Sequence, residues 1–245
     1  MSPRRTLATT RRVLTQLRHD PRTVGLLLVV PCVLLVLLRY VFDHSPATFD
    51  RIGAPLLGIF PFTVMFVVTS VATLRERTSG TLERLLTMPL SKGDLLLGYA
   101  VAFGLLAVIQ AVLAATLSLG LLGLNVSGNP ALVVLIAALD GVLGMALGLF
   151  VSAFAATEFQ AVQFLPAFVL PQLLLCGLLL PRNGMPGVLQ ALSNVLPLSY
   201  AVDAMSTVTA NASFSGPLLR DLAVILGATI AALVVGAATL RRRTG

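Results

Sequence analysis

The stretch RERTSGTLERLLTMPLSKGD, residues 75–94, is the one place where charges cluster inside a chain that is otherwise mostly apolar. It sits between two long apolar runs, so its reading fixes what lies on either side. Of 245 residues, 57% are hydrophobic and only 11% charged, where a soluble domain carries about 25% charged residues. The composition is that of a polytopic membrane protein. The net charge of +7 could suggest nucleic acid. However, the arginines stand at the ends of apolar runs rather than in one patch with interleaved aromatics, and loop placement accounts for them. Cys32 and Cys176 both fall inside apolar runs, with neither metal-ligand spacing nor a loop position suited to a disulfide.

A bilayer crossing needs about 20 apolar residues. Six runs qualify: Val24–Phe42, Ile52–Leu74, Leu95–Leu124, Ala131–Ala156, Phe159–Leu180 and Pro217–Leu240. The expected fold is all-α and polytopic, a single transmembrane unit over 1–245. The third run exceeds what a bilayer needs and should tilt or project. Pro31, Pro61, Pro166 and Pro171 lie within spans and predict kinks, since each removes a backbone donor.

Orientation follows from the cations. With the N-terminus in the cytosol, the inner side carries Arg4, Arg5, Arg11, Arg12, Arg18, Arg22, Arg75, Arg77, Arg84, Lys92 and Arg241 to Arg243. The outer side keeps only Arg39, Arg51, Arg182 and Arg220. Both termini are then expected inside. The first run is too long for the apolar region of a signal peptide, and HSPATFD offers no small-x-small cleavage site.

Two segments are half-apolar without spanning. In Thr6–His19, within a cytosolic region 1–23, Leu7, Thr10, Val13, Leu14 and Leu17 share one arc beside or opposite Arg4, Arg11, Arg12 and Arg18. That pattern suits a helix lying in the inner interface. The second is Pro181–Met205, within an outer region 181–216. It is broken by Pro181, Pro186 and Pro197, yet Val188, Leu189, Leu192, Val195 and Leu196 repeat at helical spacing. It predicts either a short helical hairpin dipping into the outer leaflet, a candidate gate, or a surface loop.

In the 75–94 segment, Thr78, Ser79 and Gly80 break the second span, and Ser79 can cap a new helix. Leu82, Leu85 and Leu86 form an i, i+3, i+4 face with Glu83 and Arg84 pointing away, and Pro89 stops the helix. Such a helix, held outside the bilayer, needs something to bury against: the N-terminal helix or a partner protein.

The run EXXXGTLEXLXXXPXSXXDXXXGY, beginning at Glu76, resembles the segment joining the second and third spans of type-2 ABC transporter permeases. That family includes daunorubicin-resistance-type drug exporters, polysaccharide exporters and G-subfamily transporters. TEFQAVQFLPAFVLPQLLLCGLLLP (157–181) is similar to the family's fifth span. LQALSNVLPLSYAVDAM (189–205) is similar to its re-entrant region, including the Asn-x-x-Pro-x-x-Tyr pattern at Asn194, Pro197 and Tyr200. The likeness covers essentially the whole chain in span order.

The resemblance implies a half-transporter. Two six-span subunits pair, as two copies or as a heterodimer, and separate ATPase subunits dock from the cytosol. The chain has no Gly-x-x-x-x-Gly-Lys-Ser/Thr phosphate loop, so it is expected to bind no cofactor itself, with ATP and magnesium held by the partner. Glu76, Gly80, Thr81, Leu82, Glu83, Leu85, Leu86 and Pro89 would couple the permease to the ATPase. Asn194, Pro197 and Tyr200 would form the outer gate. The second and fifth spans would face the partner permease, offering Phe62, Met65, Phe66, Thr69, Gln163, Phe164, Phe168 and Gln172 as a wall for bulky amphipathic drugs; ordinary helix packing explains the same residues. Small residues at Gly104, Gly120, Gly144 and Gly148 suit close helix approach.

Asp140 lies near the middle of the fourth run, where an ionised carboxylate costs about 2.5 kcal/mol or more. It could serve a proton path, or sit protonated or hydrogen-bonded to a neighbouring helix; no second acid or histidine stands at matching depth. The expected function is the permease subunit of an ATP-driven exporter of drugs or other amphipathic molecules. The alternatives are lipid or glycan cargo, a proton-coupled transporter using Asp140, or a membrane scaffold. Sixteen arginines against one lysine, with abundant Ala, Leu, Val and Gly, fit a GC-rich bacterium and hence its plasma membrane.

Overall fold

The computed structural model describes residues 2–79, 91–211 and 215–239. Ten α-helices are described: α1 (Pro3–Arg18), α2 (Pro21–Val41), α3 (Pro46–Thr78), α4 (Lys92–Gly120), α5 (Pro130–Ser152), α6 (Glu158–Phe164), α7 (Leu170–Leu175), α8 (Gly187–Val195), α9 (Pro197–Ala210) and α10 (Gly216–Thr239). A π-helical turn, Leu165–Val169, joins α6 to α7, and no strand occurs among the described residues. Six helical stretches are long and apolar enough to cross a membrane: α2, α3, α4, α5, the composite Glu158–Leu175, and α10. The chain is a multi-pass membrane protein.

Local chemistry sets where these helices begin. Helices α1, α2, α3, α5 and α9 each open on a proline, whose missing N–H is no loss in a first turn and whose φ is already helical. Side-chain oxygens of Asp20, Ser91, Asn129 and Thr157 accept from the exposed amides of α2, α4, α5 and α6. At α4 the cap is reciprocal. Asp94 N–H donates to Ser91 Oγ at 3.0 Å and Ser91 N–H to Asp94 Oδ2 at 3.4 Å, a capping box.

The expected span limits differ from the helices observed, the third and fourth ending at Gly120 and Ser152 rather than at 124 and 156. The longest helix is α3, at 33 residues, or about 50 Å at 1.5 Å per residue; it runs well past the apolar stretch at both ends. The fifth span stops at Leu175 rather than 180. Cys176 closes the helix and Gly177 adopts φ +96°, a left-handed conformation that L side chains rarely reach. Pro166 and Pro171 fall in or just after the π turn, where missing donors loosen the α-helical ladder. Ser79 is the C-cap of α3 in αR geometry, its hydroxyl donating to Glu76 O at 3.2 Å. It closes α3, and the helix it was expected to cap lies outside the described residues.

The most extensive packing is α3 on α5. Gly144 and Gly148 bring the α5 backbone directly onto Phe62 and Phe66 of α3: a Cβ at 144 would lie 2.2 Å from Phe62 O. Apolar clusters fill the space around this pair. Leu35, Phe49, Leu57, Ile136 and Val208 pack toward one end, and Val13, Leu27, Leu95, Tyr99 and Phe103 toward the other. Many side chains of α2 and α10 point outward, among them Leu26, Val29, Leu37, Ile230 and Val234, as lipid-facing helices should. The end that carries α1 and both the 79–91 and 153–157 links is termed the amino end. The opposite end carries the 121–129 loop, α8 and α9.

Candidate functional site

At the amino end, α1 is clamped across α3 and α4. Arg12 Nη2 donates to Glu76 Oε2 at 2.9 Å and to the Tyr99 hydroxyl at 2.7 Å. One guanidinium thereby ties three helices, and it also lies over the Tyr99 ring at 5.8 Å. Close approach is possible because position 98 is glycine: a Cβ there would sit 2.5 Å from Thr9 Cβ. Thr10 Oγ1 donates to Gly98 O at 3.2 Å, and Ser2 N–H to Asp94 Oδ1 at 2.9 Å.

The end of α3 is held on its other side by Arg75, which donates to both oxygens of Glu158 at 2.8 and 3.0 Å. Arg77 reaches the carbonyl of Ser152. Segment 80–90 therefore starts and ends on anchored helix termini. Beside the clamp, a cleft of about 330 Å³ opens between α1, α3 and α4, walled by Val13, Leu17, Val68 and Phe103, with Asp20 and Glu76 among its polar lining. The Thr23 hydroxyl and amide, both donating to the Asp20 carboxylate, hold that carboxyl below its usual range.

At the far end, Arg182 plays the corresponding part. It pairs with Asp203 on α9 and with the side-chain oxygen of Asn194 at the end of α8. Pro197 opens α9, and one turn later the Tyr200 hydroxyl donates back to Asn194 O at 2.7 Å. Ser193 Oγ donates to Leu175 O at 2.8 Å, tying α8 to the fifth span. Burial pushes the Asp203 carboxyl up against the opposing pull of Arg182. Gly177 completes the corner, since a Cβ there would meet Arg182 Cγ at 3.3 Å. The apolar residues of α8, Val188, Leu192 and Val195, are exposed while Ser193 is buried, an inside-out pattern suited to apolar surroundings.

The expected site residues fall into three groups. Gly80, Thr81, Leu82, Glu83, Leu85, Leu86 and Pro89 lie outside the described residues, so only Glu76 of the coupling set is placed, in the clamp. Asn194, Pro197 and Tyr200 are brought together. The drug-facing wall is split. Phe62, Met65, Phe66 and Thr69 are fully buried against α5, because Gly144 and Gly148 draw that helix onto them, so they offer no surface in a single chain. Gln172 is also buried, its amide donating to Phe168 O at 3.1 Å. Gln163 and Phe168 face outward, with Phe164 partly covered.

Asp140 is fully buried, and neither carboxylate oxygen has a hydrogen-bond partner. Of the alternatives for this carboxyl, the hydrogen bond to a neighbouring helix is absent among the described residues. Gly58 makes room for it, since a Cβ there would lie 2.9 Å from Asp140 Oδ2.

The sequence reading missed Arg12, Gly98 and Tyr99 as one unit. The Ser-x-x-Asp box at 91–94 was the legible signal there; the partner of Arg12 was not, because it lies 64 residues away.

Residues 4–209 match the family described as ABC-2 type transporter. The chain belongs to that family. Among its relatives, this ABC-2 chain is 30% identical over 148 residues to the probable multidrug ABC transporter permease YbhR of Escherichia coli (strain K12), covering 60% of this chain and 40% of that one. It is 25% identical over 185 residues to the linearmycin resistance permease protein LnrN of Bacillus subtilis (strain 168), covering 74% and 48%. It is 28% identical over 161 residues to ABC transporter G family member 20 of Dictyostelium discoideum, covering 65% and 22%. The ABC-2 chain thus spans less than half the length of these relatives.

Proposed function

We propose that this ABC-2 chain is the membrane-spanning permease subunit of an ATP-driven exporter. It would work with separate ABC ATPase subunits, which bind ATP and magnesium, and with a second permease, either a copy of itself or a paralogue. The observation that carries this reading is the clamp at the amino end. Arg12, Glu76, Tyr99 and Asp94 join α1, α3 and α4 on both flanks of segment 80–90. A load applied to Gly80–Leu86 by a closing ATPase would move these helices as one body, converting a local push into rigid-body rocking of the six spans.

In this reading the amino end is cytosolic, as the distribution of arginines favours, and the membrane is a bacterial plasma membrane. The α8–α9 hairpin is the outer, re-entrant gate, latched by Arg182, Asn194 and Tyr200. Cargo would be drugs or other amphipathic small molecules, a class supported by the multidrug and linearmycin-resistance names of relatives. The cargo-facing surface would be the exposed side of the fifth span, Gln163, Phe164 and Phe168, against the second permease.

The test is purification from native membrane, followed by ATP hydrolysis measured in liposomes with and without added drug. An ATPase should come down with the wild type, and Glu83→Ala combined with Leu86→Ala should lose it or lose the stimulation. If no ATPase associates and a proton gradient alone moves substrate in an Asp140-dependent way, the exporter reading fails. Stimulation by a lipid or glycan, and not by drugs, would reassign the cargo.

A further inference from the structure

The far end carries few cations, yet they are not scattered. Of its four arginines, Arg39 is committed elsewhere: it donates to Leu122 O at 3.0 Å, pairs with Asp43 and lies over Phe49. The other three, Arg51, Arg182 and Arg220, converge on one cavity of about 530 Å³, whose lining contains a single carboxylate, Asp203. Gln190 and Ser206 add neutral donors to its wall.

The charges in this cavity are not balanced from within. Arg182 and Arg220 each stand over the Tyr200 ring, at 5.0 and 5.9 Å from its centre. Arg182 donates to Asp203 and to the Asn194 side-chain oxygen, and Arg220 donates to Asp221 of α10. Arg51 has no ion pair among the described residues, and it is exposed to the cavity mouth. Guanidinium groups present planar paired donors that fit phosphate oxygens two at a time. The volume lies within the range of about 300–1,000 Å³ found for small-molecule sites. The lining also includes Pro55, Leu178, Pro181 and Val202. A chamber that joins guanidinium groups to apolar walls matches an amphipathic anion better than a free one.

We propose that this chamber binds a phosphate group, held by Arg51 and Arg220 with Arg182 behind them, and that its source is the head group of an anionic phospholipid. Basic pockets between membrane helices recognise such head groups elsewhere. The assignment stands whether or not the chain exports drugs, because it concerns occupancy of the chamber alone.

The experiment is titration of the purified full chain in micelles with phosphatidylglycerol, phosphatidylcholine or glycerol 3-phosphate, reading the thermal unfolding midpoint and lipid retention by native mass spectrometry. Phosphatidylglycerol should raise the midpoint and be retained, and phosphatidylcholine should do neither. Arg51→Gln and Arg220→Gln should each raise the half-saturating concentration about tenfold, the loss of one charge-assisted contact. Arg22→Gln, an exposed arginine at the amino end, should leave it unchanged. Saturation by glycerol 3-phosphate with the same arginine dependence would keep the phosphate site and make its source soluble. Binding equally weakened by Arg22→Gln, unaffected by both chamber variants, or absent for both phosphates would overturn the proposal. Arg51 makes no ion pair, so its variant tests binding without removing a structural bond.

Discussion

Gly144→Ala is the sharpest test of the α3–α5 packing. An added Cβ at 144 would lie 2.2 Å from Phe62 O and 2.8 Å from Phe62 C and Cα. Even a close carbon–oxygen contact of about 3.3 Å then requires the helices to part by about 1 Å. The opposing atoms are backbone, so no side-chain rotation relieves the overlap. Overpacking of this kind costs about 1–3 kcal/mol, offset by at most about 1 kcal/mol of helix propensity. With about 2–4 °C per kcal/mol for a chain of this size, the midpoint should fall by several degrees.

The chain has no tryptophan, but Cys176 is fully buried and only Cys32 is otherwise free. Thermal unfolding in a Cys32→Ser background can therefore be followed by the reaction of Cys176 with a thiol-reactive dye. Gly148→Ala, which would meet Phe66 O at 2.4 Å, should behave alike, and the double variant should cost less than the sum once the helices have parted. Gly104→Ala meets only Val142 Cγ2 at 3.8 Å and should be neutral or mildly stabilising. A Gly144→Ala midpoint equal to wild type, or an equal fall in Gly104→Ala, would refute the close-approach argument.

Arg12→Ala leaves the largely buried Glu76 without its partner and should destabilise the clamp by about 1–3 kcal/mol. Adding Glu76→Gln should recover part of that loss, and a double-mutant cycle on dye reactivity measures the coupling. Asp20 supplies the pH dependence. Its carboxyl is lowered in the folded chain by the Thr23 hydroxyl and then the Thr23 amide, so its contribution is complete above the unfolded value of about 3.9 and lost as pH falls through the folded one. The stability difference between wild type and Thr23→Val should thus be constant above about pH 5 and shrink on acidification. Asp20→Asn, still a capping residue, should remove that dependence.

Much of the architecture was legible in the chain. Six apolar runs appear because a hydrocarbon layer admits only long stretches whose backbone bonds are satisfied internally. The Ser91–Asp94 box and the proline-opened helices are local chemistry within a few residues. The helical repeat of Val188–Val195 was readable from its spacing, whereas Asn194, Pro197 and Tyr200 were singled out only by the family resemblance. The span limits were less so, since α3 continues through polar residues at both ends and Gly177 cuts the fifth span short.

Which face of a membrane helix meets protein cannot be read from apolarity, because lipid and core are equally apolar. Phe62, Met65, Phe66 and Thr69 fitted both a wall for cargo and ordinary helix packing in the sequence, and in the single chain they are buried against α5. The structure separates Gly144 and Gly148, pressed against backbone, from Gly104 and Gly120, which have room. Sequence alone counted four arginines at the far end. Only the fold brought residues 51, 182 and 220 to one chamber, because convergence depends on how three distant segments pack, and no local spacing encodes that.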